Sequence, residues 1–369
     1  METAAFSVGT ASGLGVDSRD VVAFFRANWE RPIALGVESF YRWQFCQAPE
    51  NKGEDLNCLA VDGGEILGVM GLNRRRFVLE GQLVSGAELT TWVVGAAARG
   101  KGIGRRMIAF LQQEYDLLTG FGISQMAIPV YRLAGFRRIA CLNRYFLAID
   151  AAAAGPHLKL QPLGAKLQSS RVPQHHAGSC RSATPADLAE CAAAASAHSN
   201  LYLRDADAVA WRYYGHPVYS YDTHVVTDPA VGGPGVAVVL RFDESAGVRF
   251  LHVVDMFGDS ASYRAAVSVV ERMAREQACA FVDVTATNTR LAGAFLGAGW
   301  FSVMDDPYAE LAHLFYPPEL RVPSTTSAVV WSRHRPESAY DFGRLHLSKG
   351  DLDLDRPTLD YYDVHGIAR

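Results

Sequence analysis

The sequence has no Cys-x-x-Cys pair, no apolar run long enough to span a bilayer, and no marked excess of either charge. Each absence excludes something. Six cysteines, Cys46, Cys58, Cys141, Cys180, Cys191 and Cys279, without paired spacing read as buried thiols in a reducing compartment. A net charge of −4 gives no general pull toward nucleic acid or anionic lipid, so neither is expected as a partner. The N-terminal segment lacks a basic stretch followed by an apolar core, and the expected location is cytoplasmic. None of the eleven histidines falls in His-Glu-x-x-His or another ligand spacing, and no metal is expected. No Gly-x-Ser-x-Gly turn is present, which disfavours a covalent acyl-enzyme. Asp351, Asp353 and Asp355 resemble the start of a calcium loop, but Arg356 stands where its glycine should be and no Glu closes it. A last strand with a solvated acidic turn is the plainer expectation.

What the chain does have is a core and a glycine-dense loop. Apolar residues make up 49% and charged residues 20%, the balance of a folded globular protein. A length of 369 residues exceeds one typical domain and suggests two. The most informative stretch is Arg99-Gly100-Lys101-Gly102-Ile103-Gly104. It lies between a β-branched run at 89–94 and an apolar stripe at Ile103, Met107, Phe110, Leu111, Leu117 and Leu118, the spacing of a helix with one buried face. Glycines between a strand and a helix N-terminus let the backbone approach an anion, with first-turn N–H groups pointing at it. Arg105 and Arg106 in that first turn are either solvated or partners of a bound pyrophosphate. The order Arg-x-x-Gly-x-Gly fits neither the Walker A loop nor the dinucleotide fingerprint.

Downstream, residues 123–128 read as a buried strand, followed by Tyr131-Arg-Leu-Ala-Gly135-Phe136. Strand, Arg-x-x-Gly-x-Gly, helix, strand and Tyr-x-x-x-Gly-Phe in this order resemble the GCN5-related N-acetyltransferases, the GNAT superfamily, over residues 55–150. Pro129 and Val130 leave little room for the helix before Tyr131, and the Asn that usually begins it is missing. The resemblance implies an acyl-CoA bound by Arg99, Gly100, Lys101, Gly102, Ile103, Gly104 and Arg105, with its pantetheine arm along the backbone of Trp92, Val93 and Val94. There one N–H would polarise the thioester carbonyl. It implies Tyr131 as proton donor to the departing thiolate; for a weakly basic amine, base help from water, Glu88 or Asp255 suffices.

The chain then repeats itself. Phe40-Tyr-Arg-Trp43-Gln-Phe45 before Ala48-Pro49 returns as Val209-Ala-Trp211-Arg-Tyr213-Tyr214 before His216-Pro217. In each copy come a strand pair (56–61 with 66–72; 224–227 with 236–242), a further strand (89–94; 250–254), a helical stripe, a buried strand (123–128; 280–284) and a Gly-aromatic close at Gly135-Phe136 or Gly299-Trp300. The expected architecture is α/β: two tandem GNAT-like domains, each a mixed, mostly antiparallel sheet flanked by helices. Their boundaries are 1–150, a linker at 151–182, and 183–369. The second copy keeps one glycine in Met256-Phe-Gly-Asp-Ser-Ala-Ser262, adds Asp259, and carries Phe295 at the tyrosine position. One acyl-CoA per chain is therefore expected.

The acceptor is expected to be a small-molecule amine, with an amino group on a nucleotide-linked sugar as the leading choice. A tail ending Asp353-Leu-Asp355-Arg-Pro357 resembles that of tandem enzymes acylating such sugars. Arg204, Arg212 or Arg241 would hold the diphosphate, and Tyr41, Trp43, Trp211, Tyr213 and Tyr214 either stack on a ring or pack the core. His198, His252, Glu88, Asp255 and His346 are the polar groups placed to meet a substrate or, as plainly, to make structural hydrogen bonds. Aminoacyl transfer to a peptidoglycan precursor and a non-catalytic acyl-CoA sensor are the alternatives.

Overall fold

A computed structural model describes residues 6–29, 32–351 and 355–369. Asp353, the middle residue of the acidic repeat, lies outside them. The strands are, in chain order, β1 (Ser7–Thr10), β2 (Cys58–Asp62), β3 (Glu65–Leu79), β4 (Gln82–Val94), β5 (Leu117–Phe121), β6 (Arg137–Ile139), β7 (Arg144–Ala148), β8 (Leu158–Leu160), β9 (Ser179–Ser182) and β10 (Asn200–Tyr202). They continue with β11 (Asp222–Thr227), β12 (Val236–Ser245), β13 (Val248–Gly258), β14 (Phe281–Thr285), β15 (Phe301–Ser302), β16 (Ala309–Phe315), β17 (Pro318–Leu320), β18 (Ala328–Ser332) and β19 (Leu345–His346). The class is mixed α/β, with mostly antiparallel sheets flanked by helices.

Two large sheets share one order. The first runs β1-β2-β3-β4-β5-β18-β6, and the second, read from its far edge, β9-β11-β12-β13-β14-β7-β15. Along each order one pair is parallel, β4 with β5 and β13 with β14, and the others are antiparallel; the first sheet also carries β10 beside β3, with β19 parallel to β10. The sixth place in each sheet is filled from the other half of the chain. β18 pairs β5 from Ala328↔Phe121 to Ser332↔Leu117, and β7 pairs β14 from Phe281↔Ala148 to Thr285↔Arg144. Neither sheet is complete without the other half.

Helices cover both faces of each sheet. The helix Ile103–Glu114 buries Ile103, Met107, Ile108 and Leu111 on the first sheet, and Tyr263–Glu276 lies on the second in the same way. The opposite face of the first sheet carries Ser18–Asn28 and Glu38–Phe45, packed on Leu59, Val69 and Val93. That of the second carries Pro185–Ser196, which a Thr184/Asp187 capping box starts.

Three expectations need correction. Leu117 and Leu118 continue the helical spacing, but the helix stops at Glu114 and both belong to β5. All five β5 residues are buried, so the strand shows no alternation that would separate it from the helical stripe. Residues 123–128, expected as that strand, instead form the turn that enters the helix Ile128–Leu133. Residues 151–182, expected as a linker, carry β8, the helix Pro162–Ser170 and β9.

Candidate functional site

β4 and β5 run parallel from Gly86↔Leu117 to Leu89↔Gly120, where the pairing ends. A bulge falls there: β3 pairs Met70 with Trp92 and Leu72 with Leu89, so Thr90 and Thr91 oppose the single Gly71. A bulge bends its strand and releases the ladder. Gly122 N–H has turned to Ser327 O at 2.9 Å. Trp92, Val93 and Val94 thus extend β4 past its last pairing with β5, offering an edge to an extended ligand.

That edge leads into the loop. Arg99 Nε donates to Val94 O at 3.2 Å and fixes the turn. Gly102 starts the helix at φ +77°, in the left-handed region that favours glycine, and no side chain caps the first turn. Gly100, Lys101 and Arg105 are exposed, while Ile103 anchors the helix in the core. The loop therefore presents first-turn N–H groups without a side-chain cap, as an anion site requires. Arg106 has left this surface: its Nη2 donates to Phe6 O at 3.0 Å and its guanidinium lies 4.0 Å over the Phe6 ring. Gly104 has a second constraint, because a Cβ there would lie 2.2 Å from Trp92 Cζ2. The indole, not a phosphate, is what a side chain at 104 would strike.

Tyr131 lies behind that indole, 2% exposed, with ring centroids 5.4 Å from Trp92 and 5.0 Å from Phe136. Burial pushes its hydroxyl well above the ordinary range, so it stays protonated. Its helix is short as expected, six residues with Pro129 in the first turn and no side-chain cap.

On the other side of β4, Glu88 is 3% exposed and accepts from Asn73 Nδ2 at 2.9 Å. Both line a cleft of about 370 Å³ with Trp43, Arg75, Trp211 and Arg356. Trp43 and Trp211 stack at 5.1 Å, one from each half of the chain, and His216 sits edge-on to Trp43 at 4.3 Å. Arg356 Nη1 donates to Thr91 Oγ1 at 2.9 Å, which ties the tail to the bulge. Asn73 Oδ1 and Trp43 Nε1 are buried here without a hydrogen-bond partner.

The second half differs at each of these points. Asp259 Oδ1 accepts from Ala261 N–H at 3.0 Å, so a carboxylate already caps the chain where the first half leaves its donors bare. β13 and β14 also part after Val253↔Val284. The tail enters there: Thr287 N–H donates to Leu347 O at 3.0 Å, Ser348 bridges Ala286, and His346 Nε2 meets Asp255 Oδ1 at 3.1 Å. Phe295, in place of a tyrosine, is fully buried.

The structure does not bring Asp255 to Glu88's cleft. It is fully buried, with Arg204 Nε and Tyr213 OH each 2.8 Å from Oδ2. Burial alone would raise its carboxyl, but Arg204 and His346 hold it below the usual carboxylate range. This geometry makes it a structural anion rather than a base. Arg204, Arg212 and Arg241 are not available for a diphosphate either. Arg204 bridges Asp255 and Asp351, and Arg212 and Arg241 meet Asp355, all at most 10% exposed. The acidic turn is correspondingly not solvated: Asp351 and Asp355 are each 2% exposed. Tyr41 and Tyr213 pack in the core, and Tyr214 donates to Ala183 O at 2.6 Å. His198 sits half-buried at the end of Pro185–Ser196.

Sequence reasoning missed Asn73, Arg356 as a cleft residue, and Asp283, the partner of the expected His252. Asp283 had a signal, a lone carboxylate inside the apolar strand Phe281-Val-Asp-Val-Thr285. Arg356 had none, since only the folded tail carries it to Thr91.

Residues 22–136 match the model of the Acetyltransferase (GNAT) family. No curated protein sequence matches the chain. Among solved structures, the chain is similar to a GCN5-related N-acetyltransferase from Anabaena variabilis ATCC 29413, at 12% identity and TM-score 0.55, over 88% of this chain and 72% of that one. A probable N-acyltransferase from Enterococcus faecalis V583 aligns at 12% identity and TM-score 0.52, over 88% and 71%. The N-myristoyltransferase of Saccharomyces cerevisiae with bound myristoyl-CoA aligns at 9% and 0.51, over 90% and 84%. At these identities the likeness is one of fold. The family match is confined to residues 22–136, and acyl-CoA is the cofactor that a GNAT domain takes.

Proposed function

We propose that the chain transfers an acyl group from acyl-CoA to the amine of a nucleotide-linked amino sugar, in one active unit of a tandem pair. The observation that carries an amine acceptor is the pair of buried acceptors in the cleft, the Glu88 carboxylate and the unpartnered Asn73 Oδ1. An amine nitrogen has a hydrogen for Asn73 Oδ1 and another to share with the Glu88 carboxylate, where an alcohol has one hydrogen to give. The stacked Trp43 and Trp211 offer a flat wall to a sugar ring, and Arg75, Arg212 and Arg356 are the arginines that line the cleft, Arg75 paired with Asp351 and Arg212 with Asp355. The like order of the two sheets supports the tandem reading. Six free thiols suit a cytoplasmic setting. Among the described residues no helix is long and apolar enough to cross a membrane.

Bound acyl-CoA supplies an activated thioester. The uncapped first turn and Gly102 hold its pyrophosphate, and the edge of Trp92, Val93 and Val94 aligns the arm. Glu88, directly or through one water, keeps the acceptor amine neutral. The buried Tyr131 hydroxyl, protonated before the step, gives its proton to the leaving sulfur as the C–S bond breaks; the proton that Glu88 takes from the acceptor nitrogen goes to solvent, from which Tyr131 is reprotonated. The test follows free thiol release from acetyl-CoA and longer acyl-CoAs against a panel of amines. Amino-sugar nucleotides should react, and Glu88→Gln should lower kcat without loss of acyl-CoA affinity. Turnover of peptides or polyamines with every sugar nucleotide inert would overturn the acceptor assignment.

A further inference from the structure

A second, larger pocket of about 770 Å³, part of it open to solvent, lies mostly in the second half. Sheet register relates it to the first. In the first sheet Asn73, Glu88 and Thr119 sit side by side across β3, β4 and β5. In the second, Arg241, His252 and Asp283 take the same places across β12, β13 and β14. The cavity that Arg241, His252 and Asp283 line is therefore the counterpart of the acceptor cleft. Its own strand divergence is filled by the tail, so no thioester can reach it.

Its chemistry is that of a binding site. His252 is 1% exposed; its Nδ1 is engaged by Asp283, and its Nε2 has no partner. Burial, with Lys349 nearby, lowers its pKa to about 4, so the ring is neutral and Nε2 is a bare acceptor. Arg241 Nε, also buried, has no partner, although its other nitrogens meet Asp243 and Asp355. Lys349 Nζ is 4.0 Å from Asp355, beyond hydrogen-bond reach. Phe315 stands among them, its ring centre 4.7 Å from His252 and 5.8 Å from Lys349 Nζ, and Tyr316 extends the apolar wall.

We propose that this cavity binds a small carboxylate with an apolar body and an α-hydroxyl or α-amino group. Two donors, Lys349 Nζ, which meets Asp355 only at 4.0 Å, and the unpartnered Arg241 Nε, suit the two oxygens of one carboxylate; a phosphate's further oxygens would go unmet. The bare Nε2 takes the α-group hydrogen, and Phe315 and Tyr316 take the apolar body. Binding leaves no acyl transfer to perform, so the site is one of recognition.

Calorimetry on the full chain without acyl-CoA tests this, and its outcome is independent of acceptor chemistry in the first cleft. The probes are 3-phenyllactate, 3-phenylpropionate, which lacks only the hydroxyl, and inorganic phosphate. Phenyllactate should bind once per chain, about tenfold tighter than phenylpropionate, one hydrogen bond's worth, and phosphate should not compete. Lys349→Met should lose at least about tenfold for both carboxylates, and His252→Phe should reduce phenyllactate to the phenylpropionate level. Unfolding curves matching the unmodified chain exclude misfolding as the cause. No binding at millimolar probe, equal binding of the two carboxylates, preference for phosphate, or undiminished binding by a folded Lys349→Met would each overturn it.

Discussion

The first sheet and the second run the same strands in the same order, yet they end differently where β4 and β13 leave their parallel neighbours. In the first, the strand edge at Trp92, Val93 and Val94 extends past its partner and the following helix starts without a cap. In the second, His346, Leu347 and Ser348 occupy the parting and Asp259 caps the turn. A sheet order alone therefore does not make a cofactor site. What makes it is the strand edge and the first-turn donors that the fold leaves open, and at those two places the second half is filled and capped.

The two sheets also share strands, and cutting them apart is the largest perturbation available. Residues 1–150 made alone lack β18, and with it Val329 and Val330, both nearly fully buried. Burying two such side chains is worth roughly 3–6 kcal/mol, and an open β5 edge invites aggregation. Neither 1–150 nor 151–369 should show cooperative unfolding or bind acyl-CoA alone, while the two expressed together should recover both. Independent folding of 1–150, read by circular dichroism and calorimetry, would break the comparison by making the exchanged strands incidental.

Gly104→Val comes next. Its Cβ would lie 2.2 Å from Trp92 Cζ2 and must move the indole on which Tyr131 and the β4 edge rest. Acyl-CoA affinity should fall by about a hundredfold or more, measured by titration. The equivalent insult in the second half should leave that affinity alone.

How much of this was legible in the sequence divides along the same line. The loop, the Tyr131 and Phe295 helices and the order of elements were readable, because glycine spacing and Gly-aromatic closures are local. The exchange of β7 and β18 was not. Ala328-Val-Val-Trp-Ser332 is a β-prone run whose partner lies about two hundred residues away, and nothing local selects it. The buried tail was hidden for a related reason. Asp351 and Asp355 look like a solvated turn until Arg75, Arg204, Arg212 and Arg241, from three separate parts of the chain, close around them.

Tyr131→Phe is a smaller change that sharpens the contrast with Phe295. It removes only a hydroxyl in a packed pocket, so the fold and acyl-CoA affinity should hold. kcat should drop by about ten- to a hundredfold, the range for one proton donor. An unchanged kcat in steady-state assays would assign the sulfur's proton to water. The two Gly-aromatic helices would then differ in packing alone.

The smallest effect expected is at Asp259, and it asks whether the second loop is silent because it is capped or because its groove is filled. Asp259→Ala removes the side-chain acceptor for Ala261 N–H and should cost about 1 kcal/mol of stability, as loss of such a cap does. It also removes the charge that would repel a pyrophosphate. If the cap were the sole obstacle, the variant would gain a second acyl-CoA per chain. The tail, however, still holds Thr287 and Asp255 through Leu347 and His346. The extended arm therefore has no strand edge to lie on, however well the phosphates are received. The stoichiometry by calorimetry should stay at one, with a small fall in unfolding temperature as the only change. A second site in Asp259→Ala would mean that the tail yields to a ligand, and that the two halves differ by a cap rather than by architecture.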